Sequence, residues 1–522
     1  MGIAGTIAKN TVFSFISSAS EVGISFVASM VLTRGLGTEQ YGLYSYAIWL
    51  SALAGYFSNL GLGEMSRRFI PEGIGRQSTR EPAGFAQLAL VFRIATALVV
   101  GFAIIISSGY WARLSGDSGD RFIFILVAAS ILPDALQQAL VAIFKGFQKF
   151  DYSLYISLVM YPLRLVLIIL LVNLGFGVQE IFILNIATLT LGVLVSFYLL
   201  RHLVPLKILF SPSLLSSDRK KEALKYSFAV GGVILIGYLV SQQAEVFFIG
   251  LYCSVEDVGF YTLAFRIGSL AGLLPAAFTY VLLPAIAEQF GKRDMEKMKS
   301  IYLNSLRYLM IVALPLATGG IALADSLITV LYGAEYSPAI ILFQIICLPT
   351  AIYSISMLSD YFIRGINHPG FLLKTMVIFA ILNIGLSYWL IPRYGILGAT
   401  IANIVIIVPT LPVYTIFIYK KCGIIWPWRD AIKIIIASLV MGVAIYILHN
   451  HLSAILSLVL CIPLGIVIFF IAIFALRVIK EQDLVILKGI QNSLPLVLRK
   501  HSLPLVGLME RVVLRTKLTN GR

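Results

Sequence analysis

The stretch Arg34-Gly35-Leu36-Gly37-Thr38-Glu39-Gln40-Tyr41-Gly42-Leu43-Tyr44-Ser45-Tyr46-Ala47 is a short polar break between two long apolar runs. Its core returns 217 residues later as Glu256-Asp257-Val258-Gly259-Phe260-Tyr261-Thr262-Leu263-Ala264, so both segments read E-x-[VY]-G-x-Y-x-x-A. Such a return marks a duplicated unit. Two more anchors keep nearly the same spacing. Phe144-Lys145-Gly146-Phe147-Gln148-Lys149 is echoed 219 residues on by Ile363-Arg364-Gly365-Ile366-Asn367-His368, and Lys9 is echoed 216 residues on by Lys225. The chain reads as two copies of one unit plus an addition.

Hydrophobic residues make up 59% of the 522 and charged residues only 12%, about half the charge of a soluble globular chain. The fold class is therefore all-α, a polytopic membrane protein. A helix needs roughly 20 apolar residues to cross the hydrocarbon, and fourteen runs qualify. They lie near residues 11–33, 41–62, 83–108, 121–144, 153–174, 178–200, 224–251, 258–286, 300–323, 337–363, 370–391, 395–419, 431–449 and 453–476.

The net charge of +15 tests that count, because cytoplasmic loops collect Lys and Arg. Loops after even-numbered spans (67–80, 145–149, 201–225, 292–299, 364–374 and 420–433) hold twenty-two basic residues. Loops after odd-numbered spans hold four: Arg34, Arg113, Arg121 and Arg393. One missed or invented span would destroy this alternation, so both termini are expected in the cytoplasm. The first apolar run has no small-residue cleavage pattern and reads as a retained helix. The expected domains are an N-lobe over 1–212 (spans 1–6), a C-lobe over 213–421 (spans 7–12), spans 13 and 14 over 422–476, and a basic cytoplasmic tail over 477–522. An even number of spans per lobe makes the lobes parallel repeats.

Charge inside the spans is costly and points to function or to a partner. Arg93, Arg164, Arg266 and Arg307 lie within spans, as do the acids Glu21, Asp134 and Glu245. Arg93 and Arg164 are deep; Arg266 and Arg307 lie nearer helix ends, where a long side chain can snorkel. Ser14, Ser18, Glu21, Ser25 and Ser29 form one polar face of span 1, and Tyr238, Gln242 and Glu245 share a face of span 7. The acids fit either of two roles, partners for the arginines or carriers of a coupling proton or sodium ion. An interior with more cations than anions suits a phosphate-bearing head, since Arg presents a fork of donors to phosphate oxygens.

Several classes are not supported. No G-x-x-x-x-G-K-[ST] occurs, which argues against an ATP-driven pump. The loops are too short for a catalytic domain, so no enzyme is expected. Cys253, Cys347, Cys422 and Cys461 are scattered without paired spacing, the five His form no metal-spaced pair, and neither a metal nor a cofactor is expected. His449 and His451 flank an outer turn and read as solvated. The basic charge is loop topology, and nucleic acid is not an expected partner.

Six plus six plus two spans, the L-x-R-G-L-G-x-E-x-Y-G-x-Y break, and residues 383–403 (N-I-G-L-S-Y-W-L-I-P-R-Y-G-I-L-G-A-T-I-A-N) resemble the polysaccharide biosynthesis, Wzx-type flippases of the multidrug/oligosaccharidyl-lipid/polysaccharide exporter superfamily. The resemblance covers all fourteen spans and leaves out the tail. It implies a V-shaped pair of lobes in the plasma membrane that turns a polyprenyl-diphosphate-linked oligosaccharide from the cytoplasmic to the outer leaflet by alternating access. Its partners would be the lipid-linked saccharide, membrane lipid, a proton or sodium ion, and glycan-assembly proteins. By matching context it assigns Arg34 and Arg266 to the cavity that faces the diphosphate. A further family arginine in the middle of span 2 has no counterpart here, and Glu245 stands where many relatives have Asp. Spans 13 and 14 would form a groove for the prenyl tail. Two alternatives stay open: an ion-coupled drug or metabolite antiporter of the same superfamily, and a non-transporting scaffold of a glycan-assembly complex.

Overall fold

A computed structural model of the chain describes residues 3–78, 80–115, 121–205, 207, 214–238, 244–270, 286, 289–290, 292–366 and 368–479. The tail from residue 480, Gln242, and most of the far half of expected span 8 lie outside these residues. The described elements are helices, with no strand among them. This follows from the composition: in hydrocarbon every backbone N–H and C=O must find a partner, and a helix satisfies them within one segment.

In chain order the helices are α1 (Ile3–Asn59), α2 (Leu62–Gly75), α3 (Glu81–Leu114), α4 (Arg121–Gly146), α5 (Phe150–Asn173), α6 (Val178–Leu200), α7 (Ser217–Tyr238), α8 (Ala244–Tyr252) and α9 (Val255–Leu270). They continue as α10 (Met295–Ala322), α11 (Ala324–Tyr332), α12 (Pro338–Gly365), α13 (Pro369–Ile407), α14 (Thr410–Cys422), α15 (Trp428–His449) and α16 (Ala454–Ala475). Ten helical stretches among the described residues are long and apolar enough to cross a membrane. Two of them, Ile16–Asn59 and Pro369–Cys422, each contain two of the expected spans. The expected spans 7 and 8 fall on the shorter α7, α8 and α9.

The long helices bend where the sequence carries its motif glycines. Gly37 has φ 75° and ψ 176° inside α1, and Gly395 has φ 56° and ψ −138° inside α13. Residues with a Cβ rarely adopt positive φ, whereas glycine does so at no steric cost. The opening stretch is thus a sharp kink at Gly37 between two helical arms of α1, and not a long loop. The Tyr336 hydroxyl donates to the carbonyls of Thr33 and Gly37, both at 3.2 Å, and so satisfies oxygens at the bend.

The chain separates into two compact units. One comprises Met1–Arg266, Leu331–Leu342 and Gly370–Ile406; the other comprises Ile267–Val330, Phe343–Pro369 and Ile407–Arg522. In the first unit α3 packs on α4, α4 on α6, and α1 on α5, while α2 lies against α3, α4 and α7. Its core under α2 is built from Met65, Phe69, Ile70, Phe85, Leu140, Ile143 and Phe144, all buried. In the second unit α10, α15 and α16 pack on one another. There His449 Nδ1 lies 3.2 Å from Ser326 Oγ and 3.0 Å from Ser457 Oγ, so it joins α15 to two neighbours where solvation was expected.

Both copies of the repeated motif fall in the first unit, and they meet. A Cβ placed on Gly259 would lie 3.2 Å from Gly42 Cα, and one on Gly42 would run into the Val255 carbonyl. Tyr44 and Tyr261 occupy the same motif position and are both buried, as are Ala47 and Ala264. A second glycine contact joins α7 to the turn after α1: Cβ atoms on Gly61 or Gly231 would strike the facing backbone, and Ser227 Oγ donates to the Leu60 carbonyl at 2.8 Å. Beside it Arg219 binds Glu72, Glu81 and Glu222 at 3.1, 3.3 and 2.6 Å. Its partial burial lowers its pKa, but hydrogen bonds to Glu222, Glu72 and Glu81 outweigh that and raise it.

Gly42→Ala should therefore destabilise the protein by about 1–3 kcal/mol through overpacking against backbone that cannot yield. Thermal unfolding of purified variants in detergent tests this. Gly23→Ala, where a Cβ meets nothing within 4 Å, is the control and should leave the transition unchanged.

Candidate functional site

The first unit gathers four of the expected site residues. Glu21 on α1, Arg93 on α3, Asp134 on α4 and Arg164 on α5 come from separate spans, and Asp134 lies within electrostatic reach of Arg93, Arg164 and Glu21. Tyr161, one turn before Arg164, lies within electrostatic reach of Glu21. A Cβ on Gly55 would stand 3.6 Å from Asp134 Oδ2, so the second arm of α1 passes close over the cluster. Ser18, Glu21 and Ser25 are exposed on one side of α1, in keeping with the polar face expected from their spacing.

The two deep arginines differ in their surroundings. Arg93 is only 1% exposed; its Nε donates to the Ala135 carbonyl at 3.2 Å and a terminal nitrogen donates to Gln138 Oε1 at 2.8 Å. Gln138 in turn donates to Asp134 Oδ2 at 2.7 Å. Arg93 is thus a clamp between α3 and α4 that fixes the carboxylate through an amide. Arg164 is half-buried and makes no hydrogen bond among the described residues. It is the cation of the cluster best disposed toward an anion arriving from outside.

The remaining arginines are dispersed. Arg34 is exposed just before the elbow. Arg266 is half-buried, with Tyr41, Tyr44 and Tyr332 as electrostatic neighbours, and two of these belong to the first motif copy. Arg307, in the second unit, is 1% exposed, with its guanidinium 5.1 Å from the Tyr308 ring centroid and one nitrogen 3.3 Å from the Tyr308 hydroxyl. It lies inside helix packing and does not snorkel to an interface.

Glu245 opens a second polar centre in the first unit. It is fully buried on α8 and takes a hydrogen bond from Asn403 Nδ2 at 3.1 Å on Oε1, while Oε2 has no hydrogen-bond partner of good geometry among the described residues. Asn383 also interacts with the carboxylate. Asn383 and Ser387 Oγ are buried, and among the described residues neither Ser387 Oγ nor the Asn383 amide has a hydrogen-bond partner of good geometry. Carboxylate, amide and hydroxyl oxygens gathered in a dry place suit a proton or a small hard cation, and leaving them unmatched is costly. Sequence reading missed Asn383, Ser387 and Asn403 as site residues, although the four-residue step from Asn383 to Ser387 places both on one helix face. Among the described residues no group of three or more His, Cys, Asp or Glu is arranged to hold a metal ion. All four cysteines are free thiols.

A family profile described as "Polysaccharide biosynthesis protein" matches residues 31–341. The chain belongs to this family. The sequence is 22% identical over 407 residues to the Haloferax volcanii protein named "Probable low-salt glycan biosynthesis flippase Agl15", covering 76% of this chain and 80% of that one. It is 22% identical over 486 residues to the "Succinoglycan biosynthesis transport protein ExoT" of Rhizobium meliloti, covering 90% and 93%. Among solved structures it is similar to one titled "Lipid II flippase MurJ, inward closed conformation", with a TM-score of 0.70 at 16% identity over 89% of this chain and 98% of the other. An inward-facing multidrug resistance MATE family transporter follows with a TM-score of 0.65 at 16% identity over 79% and 98%. At such identities the structural likeness carries the fold, which is the helical fold these transporters share. This polysaccharide biosynthesis protein is therefore a multi-pass membrane protein, and its relatives are transporters rather than enzymes.

The contrast between the two deep arginines predicts a split in stability. Arg93→Met should destabilise the protein by about 2–3 kcal/mol, the loss of charge-assisted hydrogen bonds at a buried site, whereas Arg164→Met should change it by less than about 0.5 kcal/mol. Thermal unfolding of the two variants side by side is the measurement; equal losses would contradict the assignment of Arg93 as the clamp.

Proposed function

We propose that the protein is a flippase that carries a polyprenyl-diphosphate-linked oligosaccharide from the cytoplasmic to the outer leaflet of the plasma membrane by alternating access. The observation that carries this reading is the charged cluster of Glu21, Asp134 and Arg164 inside otherwise apolar helices, with Arg164 lacking a hydrogen-bond partner among the described residues. Burying such charges is tolerated where they face a water-filled path or a charged substrate. Membership of a polysaccharide biosynthesis family and relatives named for glycan flipping and export support the substrate class.

In this reading the fourteen spans form two six-span lobes, 1–212 and 213–421, with both termini in the cytoplasm. Spans 13 and 14 over 422–476 supply a groove for the prenyl tail. Arg34, Arg164 and Arg266 attract the diphosphate, while Arg93 and Arg307, each buried within its own unit, act as structural cations. Fork-like guanidinium donors suit phosphate oxygens, and the acids Glu21 and Asp134 keep the cluster from holding the head too firmly to release it. Glu245, with Asn383, Ser387 and Asn403, takes up the coupling proton or sodium ion. Cation binding there would change the charge of a buried carboxylate and so bias the packing of α8 against α13.

Reconstitution into liposomes with a fluorescent lipid-diphosphate saccharide tests both parts. Arg164→Ala should lower the flipping rate at least tenfold, about the effect of losing one charge-assisted contact of roughly 1.4 kcal/mol or more, while the protein still inserts. Unchanged flipping in Arg34→Ala, Arg164→Ala and Arg266→Ala alike would refute the cationic path. Glu245→Gln should abolish the response of flipping to an imposed proton or sodium gradient; if the wild type responds to neither gradient, the coupling role falls.

A further inference from the structure

The repeated motif carries two acids, Glu39 and Glu256, that the diphosphate path leaves unused. Both line one cavity of about 790 Å³ in the first unit. Its walls come from around the four connections that follow expected spans 1, 3, 5 and 7, part of the odd-numbered set that holds four basic residues against twenty-two in the even-numbered set. The cavity therefore lies at the outer end of these helices. Glu39, Gln40, Arg113, Gln179, Glu180 and Glu256 give it three carboxylates, two amides and one guanidinium. Glu180 also closes the start of α6 by accepting from the Gly177 N–H at 3.0 Å, which fixes its carboxylate at the rim.

This chemistry excludes the diphosphate and favours what is attached to it. Three acids against one base repel a phosphate group. Planar carboxylates and amides, which accept and donate in pairs, match the vicinal hydroxyls of sugars. Apolar surface from Leu43 and Val255 offers contact for the C–H faces of sugar rings. The volume is that of a small-molecule site able to take a few sugar residues.

We infer that this outer cavity is a carbohydrate subsite that holds the neutral sugars of the glycan head, away from the diphosphate, on the outer side of the membrane. The inference rests on the flippase reading above. Copies of one motif position, Glu39 and Glu256, would grip the glycan from two parts of the chain that are joined at Gly42 and Gly259. Cys253 lies in the cavity wall and reports on its occupancy.

The test uses the full chain in nanodiscs and two probes: the lipid-free oligosaccharide released by mild acid from the host's own lipid-linked pool, and sugar-free polyprenyl diphosphate. Oligosaccharide should bind the wild type and slow maleimide labelling of Cys253 in a Cys422→Ser background. Burial, then Asp257, pushes the Cys253 thiol up to about 11, so labelling at pH 8 is slow enough to follow. The double variant Glu39→Gln/Glu256→Gln should lose oligosaccharide affinity at least about tenfold and keep its diphosphate affinity within about twofold. Gln40→Ala, at an exposed position, provides a second variant if the double one does not fold, and should weaken oligosaccharide binding alone. Oligosaccharide binding that ignores these substitutions overturns the subsite, as does protection of Cys253 by calcium alone, which would make the cavity a divalent-cation site. Diphosphate binding without oligosaccharide binding sinks the subsite and spares the flippase; absence of both sinks both.

Discussion

Gly42 and Gly259 let two helices of the first unit approach until backbone meets backbone, and much of that unit depends on their having no side chain. With the helices so close, Tyr44, Tyr261, Ala47 and Ala264 are buried around the contact, and Tyr41 and Phe260 bring their edges to Tyr336 at ring separations of 5.8 and 5.9 Å. Without a strong hydrophobic drive between helices in lipid, such close packing at small residues is a principal source of association. The second glycine pair, Gly61 and Gly231, makes the same kind of contact between α7 and the turn that follows α1. Motif spacing, helix packing and the placing of Arg266 near the first motif copy therefore share one cause.

Polar groups are distributed to suit that framework. The cluster around Asp134 is a network in which Arg93 and Gln138 brace the acid from behind, while Arg164 stands beside it without a hydrogen bond among the described residues. The centre at Glu245 is the opposite case, buried and short of partners. A braced cluster holds its geometry, whereas a buried centre with unmatched oxygens is sensitive to whatever neutralises it. The first suits recognition and the second suits a change of state.

The sequence made the helical class, the duplication and the charged positions readable, because each leaves a signal that neighbours cannot mask: long apolar runs, a repeated motif, and charge where charge is expensive. The division of labour between Arg93 and Arg164 was not readable. Both are deep arginines by position, and only the approach of Ala135 and Gln138 to one of them separates the roles. Position near a helix end leaves snorkelling open for Arg307, and only its packing shows that it stays buried, because depth along a helix says nothing about what faces it. Asn383, Ser387 and Asn403 do not stand out as a site in the sequence, since uncharged polar residues in membrane helices carry a weaker signal than ions. The elbow at Gly37 looked like a loop because polar residues and glycines mark loops and kinks alike.

That elbow has a mechanical consequence. Its bend is tied by the single Tyr336 hydroxyl proton shared between the carbonyls of Thr33 and Gly37, a tie that straightening α1 would break. Glu21 on the first arm of α1 and Gly55 on the second both stand near Asp134, so the angle fixed at Gly37 sets how the two arms close around that carboxylate.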